Sequence, residues 1–538
     1  MNLALPSTGM EQPPAFATEA ACRIWLTAVP LDNIAQAQAM FLRQLTLLAR
    51  FTLPKGERFA MLEVLRDPLR QVQESATQKF VARPLPLAPP EQAALDSTLA
   101  IWSVLLTNYL HCFEQVNKDG QSPRKAATVA QRALATLADW QIDLVRSERL
   151  PDAGYWQKLN QVFAAAESSG LAEQQVNDRL RHGKVPVSPL SAYAECQLLH
   201  AASPYELPAR DLLWVARWAR RWGTKIGLLH EPPQDIRQCA HPLWVDLDSY
   251  QPAGYLPQPT IQGRWLETTA LRTSLTTRLA LLEQGQSPAD LQLGSDVVQP
   301  MAGQLLARLL QRWCQGGVKR RHERSSASGS CRLIAGFDAV HFHLSGQRVF
   351  KQGTDSSLRR EREKFEACGN YSHHTDRMTV GANAPPAENA RIVEEWRLLD
   401  TSASGLRISR PIKEGARMGA GVLVAIELDE GGGVTLGCVR WALRQDANLL
   451  TVGIQLFPGA TQAIAVRLIG PARAVFHPGF LIAANEAAQE PASIVLPLGS
   501  YQPGRQIEIL PQATGLATLT HLLGYGSEFE RCTYGYEP

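Results

Sequence analysis

The stretch from Trp396 to Arg410, WRLLDTSASGLRISR, decides how the rest of the chain is read. It places Asp400, Ser402 and Gly405 between two short runs that alternate like β-strands. Asp, Ser and Gly are turn formers, and an ordinary Asp/Ser turn closed by glycine would account for them taken alone. The same trio can also put a carboxylate and a hydroxyl on one side of a tight connection. Gly405 is expected at positive φ, where a side chain is unwelcome.

Downstream, the pattern keeps a period of two. In GVLVAIELDEGGGVTLGCVRW, Val422, Val424, Ile426 and Leu428 fall on one face, and the Gly-rich DEGGG reads as a hairpin turn. TVGIQLF repeats the alternation with Val452, Ile454 and Leu456. Short antiparallel strands joined by glycine turns predict a small barrel. Further strand-like runs after residue 465 either complete that barrel or form a second β unit.

Upstream the period changes. NIAQAQAMFLRQLTLLARF, LDSTLAIWSVLLTNYLHCFEQV and RKAATVAQRALATLADWQIDLV carry apolar residues at three-to-four spacing, punctuated by Pro and Gly. The expected fold is therefore multidomain: an all-α N-terminal region, an antiparallel β-barrel and a β extension. The boundaries are a helical array or bundle at 1–225, a mixed, largely helical connection at 226–316, the barrel at 317–465 with a polar insert at 351–391, and the extension at 466–538. The tryptophans of LLWVARWARRWG fall at helical spacing and read as core with a basic flank.

Bulk properties exclude several classes. With 538 residues the chain exceeds one core, and 45% hydrophobic with 20% charged residues describes a globular protein. A net charge of +3 argues against coating DNA or RNA. No basic stretch leads into an apolar run at the N-terminus, and no apolar run nears the roughly 18 residues of a membrane helix. Nine scattered cysteines without a CxxC suggest reduced thiols and a cytoplasmic setting. No Walker loop, nucleophile elbow or dinucleotide GxGxxG is present, so no enzyme and no cofactor is expected. His341 and His343 read as neighbours on one strand face, and with Cys368, His373 and His374 they match no zinc spacing.

The C-terminal part resembles the PilZ family. Two motifs carry the resemblance: Asp400-Thr401-Ser402-Ala403-Ser404-Gly405, a DxSxxG leading into a strand, and Arg320-Arg321-His322-Glu323-Arg324, an RxxxR ahead of the first barrel strand. RxxxR recurs at Arg66/Arg70, Arg217/Arg221, Arg308/Arg312 and Arg440/Arg444, whereas DxSxxG occurs once. The resemblance implies a cyclic di-GMP receptor whose ligand is held by Arg320, Arg321, Arg324, Asp400, Ser402 and Gly405. The residue types suit such a ligand. Arginine forks donate to phosphate oxygens or to guanine O6 and N7, and a carboxylate accepts from guanine's N–H edge. The insert at 351–391 lengthens the usual gap between the motifs. A protein partner is expected on the helical region. The rival expectation is a non-binding adaptor with a PilZ-like fold used for protein contacts.

Overall fold

The computed structural model describes Leu5, Ser7, Gly9 and Phe350 together with residues 12–118, 122–233, 240–317, 324–348, 393–412, 415–428, 433–444, 448–469, 475–510 and 516–536. The expected turn at 429–432 and the insert at 351–391 lie outside them, as do His373 and His374. The chain divides into two compact units, residues 1–83 with 87–319 and residues 84–86 with 320–538. The sequence-derived boundary at 225 and 226 falls inside the first.

Unit 1 opens with α1 (Glu19–Thr27), α2 (Ile34–Arg50), α3 (Glu57–Thr77), α4 (Pro89–Lys118), α5 (Pro123–Arg146) and α6 (Ala153–Ser168). A small elbow follows: β1 (Val176–Asn177), α7 (Arg179–His182) and β2 (Pro186–Val187). Then come α8 (Pro189–Ala201), α9 (Ala209–Trp222), β3 (Gly227–Leu229), β4 (Leu243–Asp246), β5 (Gly263–Glu267), α10 (Thr269–Glu283) and α11 (Met301–Cys314). α5 is the central element, packed against α4 and α8. Its alanine-rich sequence lets helices approach on several sides, and both Ala127 and Ala133 are fully buried. Trp214, Trp218 and Trp222 on α9 are buried as their spacing predicts. Trp222 meets Trp313 of α11 edge to face with ring centres 6.0 Å apart.

The elbow is held by ions rather than by area. Arg181 on α7 contacts Asp139 and Glu195 at 3.0 and 2.9 Å, and Arg66 contacts Asp178 at 2.8 Å. Burial opposes ionisation of Asp178, but Arg66, Arg132 and Arg181 outweigh it and hold its carboxyl far below the usual range. Three of the competing RxxxR pairs are likewise committed inside this unit. Arg66 is taken by Asp178, Arg217 by Asp296, and Arg308 with Arg312 by Glu206.

Unit 2 holds two barrels in sequence. The first contains β6 (Ser325–Ser326), β7 (Ser330–Ala335), α12 (Phe337–Leu344), β8 (Glu394–Ser402), β9 (Gly405–Pro411), β10 (Leu423–Glu427), β11 (Thr435–Arg444) and β12 (Leu449–Phe457). Its strand order is β6-β8-β7-β10-β11-β12-β9, and pairing of β8 with β9 closes the ring and leaves β6 laid along β8. The second is a closed antiparallel barrel of β13 (Thr461–Leu468), β14 (Phe476–Ile482), β15 (Ser493–Pro497), β16 (Gln506–Leu510), β17 (Ala517–Tyr525) and β18 (Phe529–Tyr536). The extension thus forms its own barrel instead of completing the first. Residues Pro84–Pro86 also belong to unit 2, where Leu85 exchanges two backbone hydrogen bonds with Met418 at 2.7 and 2.6 Å.

One expectation needs correction here. His341 and His343 lie on α12, not on a strand. Phe337, Val340, His341 and Leu344 recur at helical spacing, and Gly336 and Gly346 bound the segment. Val424 and Ile426 of β10 do share a face, and Leu423 and Ala425 between them are buried as well. Val424 and Ile426 share a sheet face with Leu333, Leu406 and Ile454 through the cross-strand registers. Leu423 and Ala425 take the opposite face and join a core with Phe337 and Val340 of α12 and Phe480 and Phe529 of the second barrel.

Candidate ligand site

The site forms at the β8–β9 hairpin, where Ser402 pairs directly with Gly405 across the two residues Ala403 and Ser404. From Trp396 to Leu398 the even-numbered residues of β8 face the interior: Leu398 pairs with Ile408, and both lie on the core side. The register then slips between Leu398 and Asp400. A bulge of one residue exchanges the faces beyond it. Asp400 therefore pairs with Arg407 and stands with Ser402 on the outer face instead of pointing into the apolar interior. The Leu399 bulge is what makes the carboxylate available.

Gly405 serves the hairpin differently from the expectation. Its φ is not positive. A Cβ there would lie 2.5 Å from the backbone oxygen of Ile454 on β12, so glycine is required by close strand approach. Ser402 Oγ donates to the Gly405 carbonyl at 3.2 Å and fixes the hairpin end.

The arginine motif arrives along the same strand. Ser325 and Ser326 of β6 pair with Thr401 and Asp400, and Ala327 N–H donates to Leu399 O at 3.2 Å. This zipper brings Arg324 to Asp400, where Nη1 donates to Oδ1 at 3.0 Å. Arg320 and Arg321 lie outside the described residues. On the other side of the carboxylate, Arg407 Nε is 2.7 Å from Oδ2. Asp400 is thus held between two guanidiniums. Its side chain is 12% exposed, against 32% for Arg324 and 42% for Arg407. Ion pairs this open to water contribute at most about 1 kcal/mol each, so their arrangement serves presentation more than stability.

Arg407 was not singled out from the sequence. The available signal was its position between Leu406 and Ile408, which places it outward on a strand whose neighbours point in. Beyond it the outer face of β8 and β9 opens into a cleft of about 430 Å³ lined by Glu395, Arg397, Arg407, Ser409, Arg410 and Leu449, among others. Under the cleft the barrel interior carries a second polar assembly. Glu394 and Arg410 form an ion pair at 3.0 Å with side chains 7% and 3% exposed. Trp396 Nε1 donates to Glu394 at 3.0 Å, and the Arg410 guanidinium lies 4.7 Å over the Trp396 ring. Glu394 also accepts from the Ala416 N–H. Among the described residues no cluster of His, Cys, Asp and Glu could hold a metal ion.

Three family models match the chain in order: the N-terminal domain of the cyclic-di-GMP receptor FimW at residues 20–233, its middle PilZ domain at 255–392, and its C-terminal β-barrel domain at 464–536. The chain carries a PilZ domain. The resemblance seen in the C-terminal motifs extends further, since the FimW models also cover the helical unit and the second barrel. The PilZ match includes Arg320–Arg324 but stops before Asp400, so the second PilZ motif rests on sequence and barrel geometry. The cyclic-di-GMP receptor FimW of Pseudomonas aeruginosa is 22% identical over 92% of this chain and 86% of its own length. Among solved structures, an insecticidal delta-endotoxin from Bacillus thuringiensis aligns over 96% of this chain and 69% of its own at 9% identity, with a TM-score of 0.16. No helix among the described residues is long and apolar enough to cross a membrane.

Proposed function

We propose that this chain is a non-enzymatic, cytoplasmic receptor for cyclic di-GMP. The observation that carries the reading is the meeting of the two motifs. Arg324 and Asp400 are far apart in sequence, yet β6 and the Leu399 bulge set them 3.0 Å apart on the outer barrel face. The FimW relative, whose name is that of a cyclic-di-GMP receptor, supports the same conclusion.

In this reading Asp400 accepts from the N–H edge of a guanine, Ser402 and Gly405 shape the hairpin beneath it, and Arg320, Arg321 and Arg324 hold phosphate and stack on base. The helical unit passes the signal to a protein partner. Calorimetric titration of the full chain is the test. Tight binding of cyclic di-GMP with much weaker binding of cyclic di-AMP is expected, because adenine lacks the donor pair that Asp400 needs. Equal affinity for the two would remove the guanine-reading role. For the relay, hydrogen exchange should show ligand-dependent protection at residues 316–330 and 396–408 and a smaller change in α11. Protection confined to the barrel would reduce the helical unit to a tethered neighbour.

A further inference from the structure

We propose that the outer face of β8 and β9 beside Asp400 is a second phosphate-binding subsite, in which Arg407 and Arg397 grip the phosphodiester on the far side of the ligand from Arg324. The inference rests on the cyclic di-GMP reading and adds residues that neither PilZ motif contains.

The ligand's own chemistry calls for such a subsite. Cyclic di-GMP carries two phosphates, and an arginine cluster on one side of Asp400 leaves the second to be met elsewhere. The cleft of about 430 Å³ lies on that other side and is continuous with the motif through Arg407. Its size falls within the roughly 300–1,000 Å³ of small-molecule sites.

Arg397, Arg407 and Arg410 line it with the carboxylate of Glu395, and of the three arginines Arg407 is paired with Asp400. Arg410 is already neutralised from below by Glu394. Arg397 is exposed and has no ion pair or hydrogen bond among the described residues. Because Arg397 pairs with Ser409, it is a diagonal neighbour of Arg407 across the strands. Such neighbours stand about 7–8 Å apart at their backbones, close enough for two long guanidiniums to converge on one phosphate.

Arg407 is also poised to change partner. Arg324 makes an aligned hydrogen bond to Asp400, whereas Arg407 Nε sits at 2.7 Å from the carboxylate without one. A guanine edge donating to Asp400 replaces the weaker arginine contact. The released guanidinium then swings over the outer face toward Arg397. Asp400 stays compensated throughout, first by arginine and then by base.

Titrations of the full chain with cyclic di-GMP test this, using the parent, Arg407→Ala, Arg407→Lys and Arg397→Ala. Each alanine variant is expected to bind about tenfold or more weakly, and Arg407→Lys to fall between, since it keeps charge but loses the planar fork. Arg397→Ala leaves every observed contact in place, so it decides the matter even where an Arg407 variant folds poorly. Alanine variants that bind within about twofold of a cyclic di-GMP-binding parent overturn the subsite while leaving the receptor reading intact. Tighter binding by Arg407→Ala does the same, making Arg407 only a plug on Asp400. A parent that gives no heat with cyclic di-GMP overturns the receptor reading and this inference together.

Discussion

The two barrels of unit 2 are built from similar lengths of strand, yet they spend their interiors differently. The second is filled by Ile464, Val466, Leu481, Ile494, Leu496, Ile507, Ile509 and Leu519, and Ser493 and Arg531 are the buried polar residues of its strands. Its ion pairs, Arg467 with Glu508 and Arg531 with Glu490, link strand to strand or strand to loop. The first admits a buried Glu394–Arg410–Trp396 assembly under β8 and β9, breaks its register at Leu399, and turns a carboxylate outward between two arginines. The second barrel also slips in register between β17 and β18 and buries Arg531, so what sets the first apart is the outward carboxylate held between two arginines. Where the polar exceptions gather, the surface above them is the one suited to a ligand.

Breaking the inner assembly is expected to have the largest effect. Arg410→Ala leaves Glu394 buried and uncompensated, which costs about 3–5 kcal/mol of folding stability. Chemical denaturation should register the loss, and an unchanged midpoint would show that the polar interior contributes nothing. The outer site should behave in the opposite way. Arg324→Ala or Arg320→Ala is expected to cost on the order of 1.5–3 kcal/mol of cyclic di-GMP binding while leaving the ligand-free melting temperature almost unchanged. Normal binding by both variants would take the site assignment away from the arginine motif.

Gly405→Ala probes the hairpin between these layers. Its new methyl collides with the Ile454 carbonyl, so a loss of about 1–3 kcal/mol in stability is expected. A variant as stable as the parent would mean that β9 and β12 can part cheaply. The smallest effect concerns the junction of the barrels. His341 on α12 bonds through Nε2 to Ile464 O of the second barrel at 3.0 Å, and burial lowers its pKa below the ordinary 6.5. The unfolded chain therefore takes up the proton first as pH falls below 6.5. The stability that His341 contributes when neutral is present above that value and is lost on acidification towards its lower folded pKa. His341→Gln should flatten this part of the stability–pH curve, and an identical acid limb in both proteins would exclude His341 as its source.

Much of this was legible in the residues. Helical spacing marked α2, α4 and α5, alternation marked β10 and β12, and DTSASG announced the hairpin that carries Asp400 and Ser402. What the sequence hid depends on register and on what covers each face. Nothing in WRLLD says that the ladder slips after Leu398, because the slip is decided by pairing with β9 and β6. Gly405 was right as a glycine, but the reason lies on β12, about fifty residues away. Both faces of β10 are buried because α12 and the second barrel cover the side of Leu423 and Ala425, which the alternation alone did not assign. The histidines of DAVHFHL satisfy either period over so short a run, and Gly336 and Gly346 were the stronger guide.

The pairing of Leu85 with Met418 has a consequence for dissection of the molecule. Unit 2 is discontinuous: three of its residues are synthesised before most of unit 1, and the remainder follows after residue 319. No single cut separates the two units cleanly. A fragment starting at residue 320 would strip the buried Met418 of both its backbone partners. Each orphaned group costs about 1–3 kcal/mol if it stays buried. Such a fragment would begin life with a wound that has nothing to do with its ligand.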